Sequence, residues 1–203
     1  MNDVKGATVR SPGRPRSERA ERAIIEATLD LFAEVASVSR LSIEAVAARA
    51  GVGKTTIYRR WPNKEALLID ALATIKPPPP EVAGESVRED LLTLMRVVGV
   101  HRGDDRLGCI MRIVQAEAEK HPEFMRDYRH TVMAPHRQAL MNVLRRGVES
   151  GELRADLDLD LAHAAIVGAL LYRNRAAWHD APAPPDYPEV LLDALLRGFA
   201  PPA

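Results

Sequence analysis

A chain of 203 residues with 46% apolar content is long enough to bury a core in one large domain or two small ones. Its 28 Lys and Arg balance 28 Asp and Glu, and its single cysteine, Cys109, excludes an internal disulfide and an all-cysteine metal site, which fits a reducing, cytoplasmic compartment. Residues 1–22 have no secretory apolar region, and the longest apolar stretch, 161–172, is broken by His163 and is too short to span a bilayer, so no membrane association is expected.

The charge is unevenly placed. The first 76 residues carry 13 Lys and Arg against nine Asp and Glu, and the remainder is acidic, an asymmetry that points to a polyanion at one end. Residues 1–16 are Gly, Pro, Ser and Arg without apolar period and read as a disordered basic arm. Ser17 is placed to cap a first helix, in which Ile24, Ile25, Leu29, Leu31, Phe32 and Val35 form a broad apolar stripe ending near Glu34. Ser42 is a good N-cap for a second helix over 43–50, stopped by Gly51. A short third helix, 54–60, begins after Gly53, and Pro62 forbids its continuation. Asn63 caps a fourth, 64 to about 75, whose apolar side carries Leu67, Leu68, Ala71 and Leu72.

Four prolines at 77–80 cannot be helical and mark a domain boundary. Beyond them the periodicity predicts helices over 86–101, 107–119, 122–150, 158–178 and 187–199, with stops at HRGDD, His121-Pro122, SGELRADLD and HDAPAPPD. The fold class is all-α, with no strand-like alternation.

The stretch AGVGKTTIYRRW, residues 50–61, allows two readings. A phosphate-binding loop of a nucleotide-dependent enzyme, using Lys54, requires glycine at position 48, where Ala48 stands, and a preceding strand, where the pattern is helical. A helix-turn-helix requires two short helices and a tight turn, which 43–50, Gly51 and 54–60 supply. In that unit Val46, Ala47, Val52 and Ile57 pack inward. Lys54, Thr55, Thr56, Tyr58, Arg59 and Arg60 then face outward, a set suited to phosphates and base edges in a major groove. A merely solvated face on a helical interaction protein is the bland alternative.

Residues 17–75, with AIIEATLDLFAEVASVSRLSIEAVAARAGVGKTTIYRRWPNKEALL at their heart, resemble the DNA-binding domain of TetR-type transcriptional regulators. The resemblance rests on Ala47, the AGV turn, Ile57-Tyr58, Trp61, Asn63-Lys64-Glu65 and Leu67-Leu68. It implies a three-helix helix-turn-helix DNA-binding domain over 17–76 and a larger helical ligand-binding and dimerisation domain over 86–200. It further implies that Lys54, Thr55 and Arg59 face bases and that Thr56, Tyr58, Lys64 and Ser42 hold phosphates, with Arg60 in either role. Many relatives carry serine where Gly53 stands and glycine where Thr55 stands, so an operator sequence cannot be borrowed. The implied protein is a homodimeric repressor on a pseudo-palindromic double-stranded site, released by a small-molecule effector. The basic arm, with Arg14 and Arg16, would enter a minor groove.

Other chemistry has little support. The histidines at 101, 121, 130, 136, 163 and 179 include no metal-binding pair at helical spacing, and no nucleophile–base constellation is readable, so no metal, cofactor or catalytic site is expected. Cys109 reads as an inert thiol on an apolar helix face. Pocket candidates in the second domain are Met95, Val98, Met111, Val114, Phe124, Tyr128, Val132 and Tyr172, all at helical spacings that suit core equally well. A small-residue stripe, Ala162, Ala165, Ala169 and Ala176 with Gly168, together with Leu191 and Leu195 of the last helix, is the candidate dimer surface, since the family pairs its last two long helices as a four-helix bundle.

Overall fold

A computed structural model of the chain describes residues 14–99, 105–175 and 184–199. Among these the regular structure is helical, without strands. In chain order the helices are α1 (Arg14–Val35), α2 (Ile43–Ala50), α3 (Lys54–Tyr58), α4 (Lys64–Ile75), α5 (Val87–Gly99), α6 (Asp105–Ala116), α7 (Pro122–Tyr128), α8 (Ala134–Ser150), α9 (Leu159–Arg175) and α10 (Tyr187–Phe199). A π-helical turn, Arg129–Met133, joins α7 to α8. The chain divides into two compact units: residues 1–74 with 109–121, and 75–108 with 122–203.

In the first unit the apolar stripe of α1 supplies Ile24, Leu29 and Phe32, all fully buried, and α1 packs on α2. Helix α1 begins at Arg14 rather than after Ser17, because proline is tolerated in a first turn whose N–H groups lack intrahelical partners. Ser17 therefore lies inside the helix and does not cap it. The rest of the expected arm, residues 1–13, lies outside the described residues. The first unit also claims Cys109–His121, although α6 follows α5 of the second unit in sequence.

In the second unit α5, α8, α9 and α10 pack around Leu91, Met95, Leu140, Leu144, Ile166, Leu170 and Leu192. Asp90 of α5 is buried and ionically satisfied: it accepts the Gly84 N–H at 3.0 Å and pairs with Arg146 of α8. That carboxylate thereby ties the segment after the prolines to the bundle. Gly84, at φ +80°, occupies the left-handed region that permits this turn.

The single helix expected over 122–150 is instead three segments. At the π turn the Ala134 N–H reaches the Arg129 carbonyl, a five-residue step. One extra residue in a turn leaves the apolar pattern on either side nearly intact, so a 3.6-residue period does not reveal it. The stops expected at HRGDD and HDAPAPPD, and the last residues of the helices expected over 86–101 and 158–178, fall largely outside the described residues.

Gly147 of α8 has no room for a side chain. A Cβ built there would lie 2.7 Å from Leu153 Cδ1 and 3.1 Å from Val87 Cγ2, and both of those residues are buried. Overpacking of this kind costs about 1–3 kcal/mol. Gly147→Ala should therefore lower the unfolding free energy by that amount despite its better helix propensity, measured by urea unfolding followed by circular dichroism.

Candidate nucleic-acid interface

Local sequence rules build the helix-turn-helix. Ser42 is extended (φ −128°, ψ 141°), and its hydroxyl accepts the Ala45 N–H at 3.1 Å, capping α2. Gly51 ends α2 in the left-handed region (φ 66°), and the Val52 N–H closes on the Ala47 carbonyl at 3.0 Å. Gly53 precedes α3 in extended geometry with no side-chain cap. Two anchors hold α3 from within: Ile57, fully buried, and Trp61, whose indole Nε1–H donates to Asp70 Oδ2 at 2.7 Å. Asn63 caps α4 by accepting the Ala66 N–H at 2.8 Å.

With Ile57 and Trp61 turned inward, Lys54, Thr55, Tyr58 and Arg59 are exposed, Tyr58 at 51%, while Thr56 and Arg60 are half-buried. The four cations at this face are not equivalent. Lys54 Nζ lies 3.0 Å from Glu44 Oε1, and this bond holds the lysine above its ordinary range and the glutamate below its own. Arg60 is engaged by Glu21 and by the Ser17 hydroxyl, both on α1. Lys64 donates to the Ser39 and Leu41 carbonyls at 2.8 and 3.1 Å. Of these four side chains, that of Arg59 alone has neither hydrogen bond nor ion pair among the described residues. The partners of Arg60 lie 39 to 43 residues away and those of Lys64 23 to 25, far beyond helical spacing, so no local signal in the sequence assigns these two cations a structural load.

A second set of groups fixes the loop between α1 and α2. Ala36 takes φ +51°, a strained value for a residue with a Cβ, as the chain leaves α1. Glu117, 1% exposed, then accepts the Val38 N–H at 2.9 Å and the Ser37 hydroxyl at 3.1 Å on one oxygen. Lys120 donates to its other oxygen at 3.1 Å. His121 Nε2 sits 3.4 Å from the carboxylate and 3.0 Å from Ser39 Oγ. Burial opposes ionisation of Glu117, but the Val38 N–H, Lys120 and Ser37 outweigh it, and the net effect holds the carboxyl below its ordinary value of 4.5. Neither Glu117 nor His121 belongs to any sequence motif, because their partners lie about 80 residues away.

The remaining expected positions divide by exposure. Met95, Val114, Phe124, Tyr128 and Val132 are buried, Val98 and Met111 half-buried, while Tyr172 is 56% exposed and so stands outside any enclosed pocket of the subunit. Phe124 and Tyr128 stack at 6.3 Å. Ala162, expected on a dimer surface, is fully buried in the core with Ile166 and Leu170, four and eight residues on. The outward face of α9 is rotated from that stripe and runs through Leu161, Ala164, Gly168 and Tyr172, all exposed. Ala165 and Ala169 flank it, half-buried. On α10, Leu191 and Leu195 are half-buried against the core, and Val190 and Ala194 are exposed. Ala176 lies outside the described residues. Among those described, no helix is long and apolar enough to cross a membrane, and no group of His, Cys, Asp or Glu is gathered to hold a metal.

Two outcomes test this division of labour. Arg60→Ala should destabilise the fold by about 1–2 kcal/mol, a charged hydrogen bond discounted for partial exposure, whereas Arg59→Ala should leave the urea midpoint unchanged. A depressed native carboxyl stabilises the fold above the ordinary carboxylate range and loses that contribution as pH falls through 4.5 and below. Thermal unfolding across that window should accordingly be less acid-sensitive in Glu117→Gln than in the parent.

Comparison with known proteins bears on the whole chain. A family model described as bacterial regulatory proteins, tetR family, matches residues 24–71, and one described as tetracyclin repressor-like, C-terminal domain, matches 82–195. The HTH-type transcriptional regulator YdeS of Bacillus subtilis is 32% identical over 168 residues, covering 79% of this chain and 81% of its own. The TetR family transcription regulator SCO0332 superposes with a TM-score of 0.63 at 27% identity, over 90% of this chain and 100% of its own. The regulator FadR from Bacillus subtilis, solved in complex with stearoyl-CoA, superposes with a TM-score of 0.64 at 23% identity, over 88% of this chain and 98% of its own, a likeness of fold.

Proposed function

Because the chain belongs to the TetR family of DNA-binding transcriptional regulators, we propose that it works as a homodimeric repressor whose α3 enters the major groove at each half of a pseudo-palindromic operator and whose second unit receives a small-molecule effector. The observation that carries the DNA-reading role is the outward face of α3. Lys54, Thr55, Tyr58 and Arg59 stand free of the core because Ile57 and Trp61 occupy it.

Arg59 is the base reader in this assignment, since its fork is unengaged and can bridge guanine O6 and N7. Thr55 contributes a methyl and a hydroxyl to the same face, and Lys54 exchanges Glu44 for the groove. Tyr58, Thr56 and Ser42 take phosphates, with the N–H groups opening α2 beside the Ser42 hydroxyl. Lys64 and Arg60 position the reading face from behind, and Lys64 adds at most a remaining N–H toward a phosphate. Catalysis has no part in this reading: Gly53-Lys54-Thr55 follows helix α2, whereas a nucleotide-binding loop follows a strand.

Dimerisation is assigned to the outward faces of α9 and α10, where Leu161, Gly168, Tyr172 and Val190 leave apolar surface exposed. Two-fold pairing would set the two α3 helices about 34–36 Å apart, one turn of DNA. Effector binding would favour a state with another spacing, and a tenfold preference for that state supplies about 1.4 kcal/mol of bias toward release.

Operator binding by the purified protein should fall steeply with salt. On single-base operator variants, Arg59→Ala should cost about 1–3 kcal/mol and lose preference at one position of each half-site, while Tyr58→Phe should weaken all variants alike. A uniform loss with Arg59→Ala would make that residue a phosphate contact. No Cβ contact lies within 4 Å of Gly168, so Gly168→Glu should fold normally yet sediment as a monomer at micromolar concentration.

A further inference from the structure

We propose that Glu44 of α2 and Lys54 of α3 together read one G·C base pair in each half of the operator, Lys54 donating to guanine and Glu44 accepting from the cytosine N4 amino group. The inference rests on the reading that α3 enters a major groove, and it adds to that face an acidic base reader carried by the preceding helix.

Among the described residues two exposed ion pairs involve α2, and they lead in different directions. Arg49, in its last turn, pairs with Glu34 of α1 at 2.5 Å. Glu44, in its first turn, reaches past the Gly51 turn to Lys54, the first residue of α3, with Nζ and Oε1 3.0 Å apart. The Lys54 and Glu44 side chains are 54% and 65% exposed, so their bond adds little to stability and either group can be drawn to another partner. Lys54 is exposed together with Thr55, Tyr58 and Arg59, and the contact therefore brings a carboxylate to the edge of the reading face.

A carboxylate set against DNA has few partners open to it. Phosphates, guanine O6 and N7 and thymine O4 are all acceptors and repel it, while the donors on the major-groove edge are the amino groups of cytosine and adenine. Adenine carries its N7 acceptor beside N6. Cytosine N4 has no acceptor beside it on the same base, so cytosine leaves both carboxylate oxygens unopposed. Lys54 has the converse requirement once it turns from Glu44 to the groove, because an ammonium only donates and guanine offers it both O6 and N7.

One base pair meets both requirements at the right spacing. Guanine O6 and cytosine N4 are hydrogen-bonded to each other within the pair, about 2.9 Å apart, and Nζ and Oε1 stand 3.0 Å apart before binding. Each side chain can thus exchange its bond to the other for a bond to the base pair without moving away, and one charge-assisted hydrogen bond becomes two. The order of donor and acceptor also fixes the orientation. Turned round as C·G, the base pair sets N4 against the ammonium and O6 against the carboxylate, and A·T sets thymine O4 against the carboxylate. T·A keeps the order but offers the ammonium one acceptor and brings adenine N7 against Glu44.

The test starts from an operator selected from a random duplex library with the full-length parent. Every single-base-pair variant of it is then measured by fluorescence anisotropy for the parent, Glu44→Ala and Lys54→Ala. The parent should prefer one G·C pair of each half-site over A·T and over C·G by about tenfold or more. Each substitution should reduce the preference at that same pair severalfold and leave the others in place, including the one lost in Arg59→Ala. Glu44→Ala should also tighten binding to random-sequence duplex, because its carboxylate no longer opposes the phosphates, whereas Lys54→Ala should weaken it. Base preferences unchanged in Glu44→Ala, a uniform loss across all variants, or relaxation at a different pair from that of Lys54→Ala overturns the shared reading. If the parent enriches a two-fold site and one of those results follows, this contact falls alone. A parent that enriches no sequence overturns the operator reading beneath it as well.

Discussion

An ionised carboxylate stays buried only where hydrogen bonds and opposite charge replace the water it gives up, and Glu117 meets that condition on the backbone of the α1–α2 loop. Much of the reading face follows from this one arrangement. The loop leaves α1 through a strained Ala36, so its path is not one the chain would keep unaided. Glu117 holds Ser37 and Val38, and Lys64 holds the carbonyls of Ser39 and Leu41. The loop ends at Ser42, so these bonds set where α2 begins and, through the Gly51 turn, where α3 points. Removing one partner of such a buried charge typically costs about 3–5 kcal/mol. The placement of α2 and α3 therefore depends on a residue that lies outside both helices.

The cations of the same unit sort by how much each would give up to meet a polyanion. The Lys54–Glu44 and Arg49–Glu34 pairs are exposed on both sides, and pairs of that kind contribute at most about 1 kcal/mol. Phosphate or a base edge can displace such a partner at little cost. Arg60 and Lys64 are different, because releasing them would unpair Glu21 and Ser17 or two backbone carbonyls. Charge on this surface is graded from free (Arg59) through exchangeable (Lys54) to committed (Arg60 and Lys64). That grading, more than the net basicity of the first 76 residues, separates the cations open to a partner from those that hold the fold.

What could be read from the chain alone was what local rules determine. Ser42, Gly51 and Asn63 announce caps whose bonds close within a few residues, and Pro62 ends α3 by sterics, so α2 and α4 emerge at the bounds the pattern gives. Of the six residues expected to face outward from α3, Lys54, Thr55, Tyr58 and Arg59 do so because Ile57 and Trp61 take the inner side, whereas Thr56 and Arg60 are half-buried and Arg60 is held by α1. Glu117 was invisible because a carboxylate among the many acids of an acidic segment is distinguished only by partners about 80 residues off. Ala162 and Tyr172 were misplaced for a related reason. A helix rich in alanine has small residues on several faces, and which face turns inward is decided by Ile166 and Leu170 against neighbouring helices, not by residue size. The π turn escaped because it shifts the apolar phase by one residue without breaking it.

Each unit holds a buried carboxylate by supplying the partners that water would have given it. In the first, Glu117 is satisfied by N–H, hydroxyl and ammonium, which suits an element that must keep one shape to fit a groove. In the second, Asp90 is satisfied by the Gly84 N–H and by Arg146, which ties the segment after the prolines to the bundle. Helix α6 belongs to the second unit up to Gly108 and to the first from Cys109, and its sequel carries Glu117. A preference of about 1.4 kcal/mol shifts the balance of states tenfold. That is less than half of what a buried charge such as Glu117 commonly holds, so a bias of that size would leave the anchoring of the loop intact.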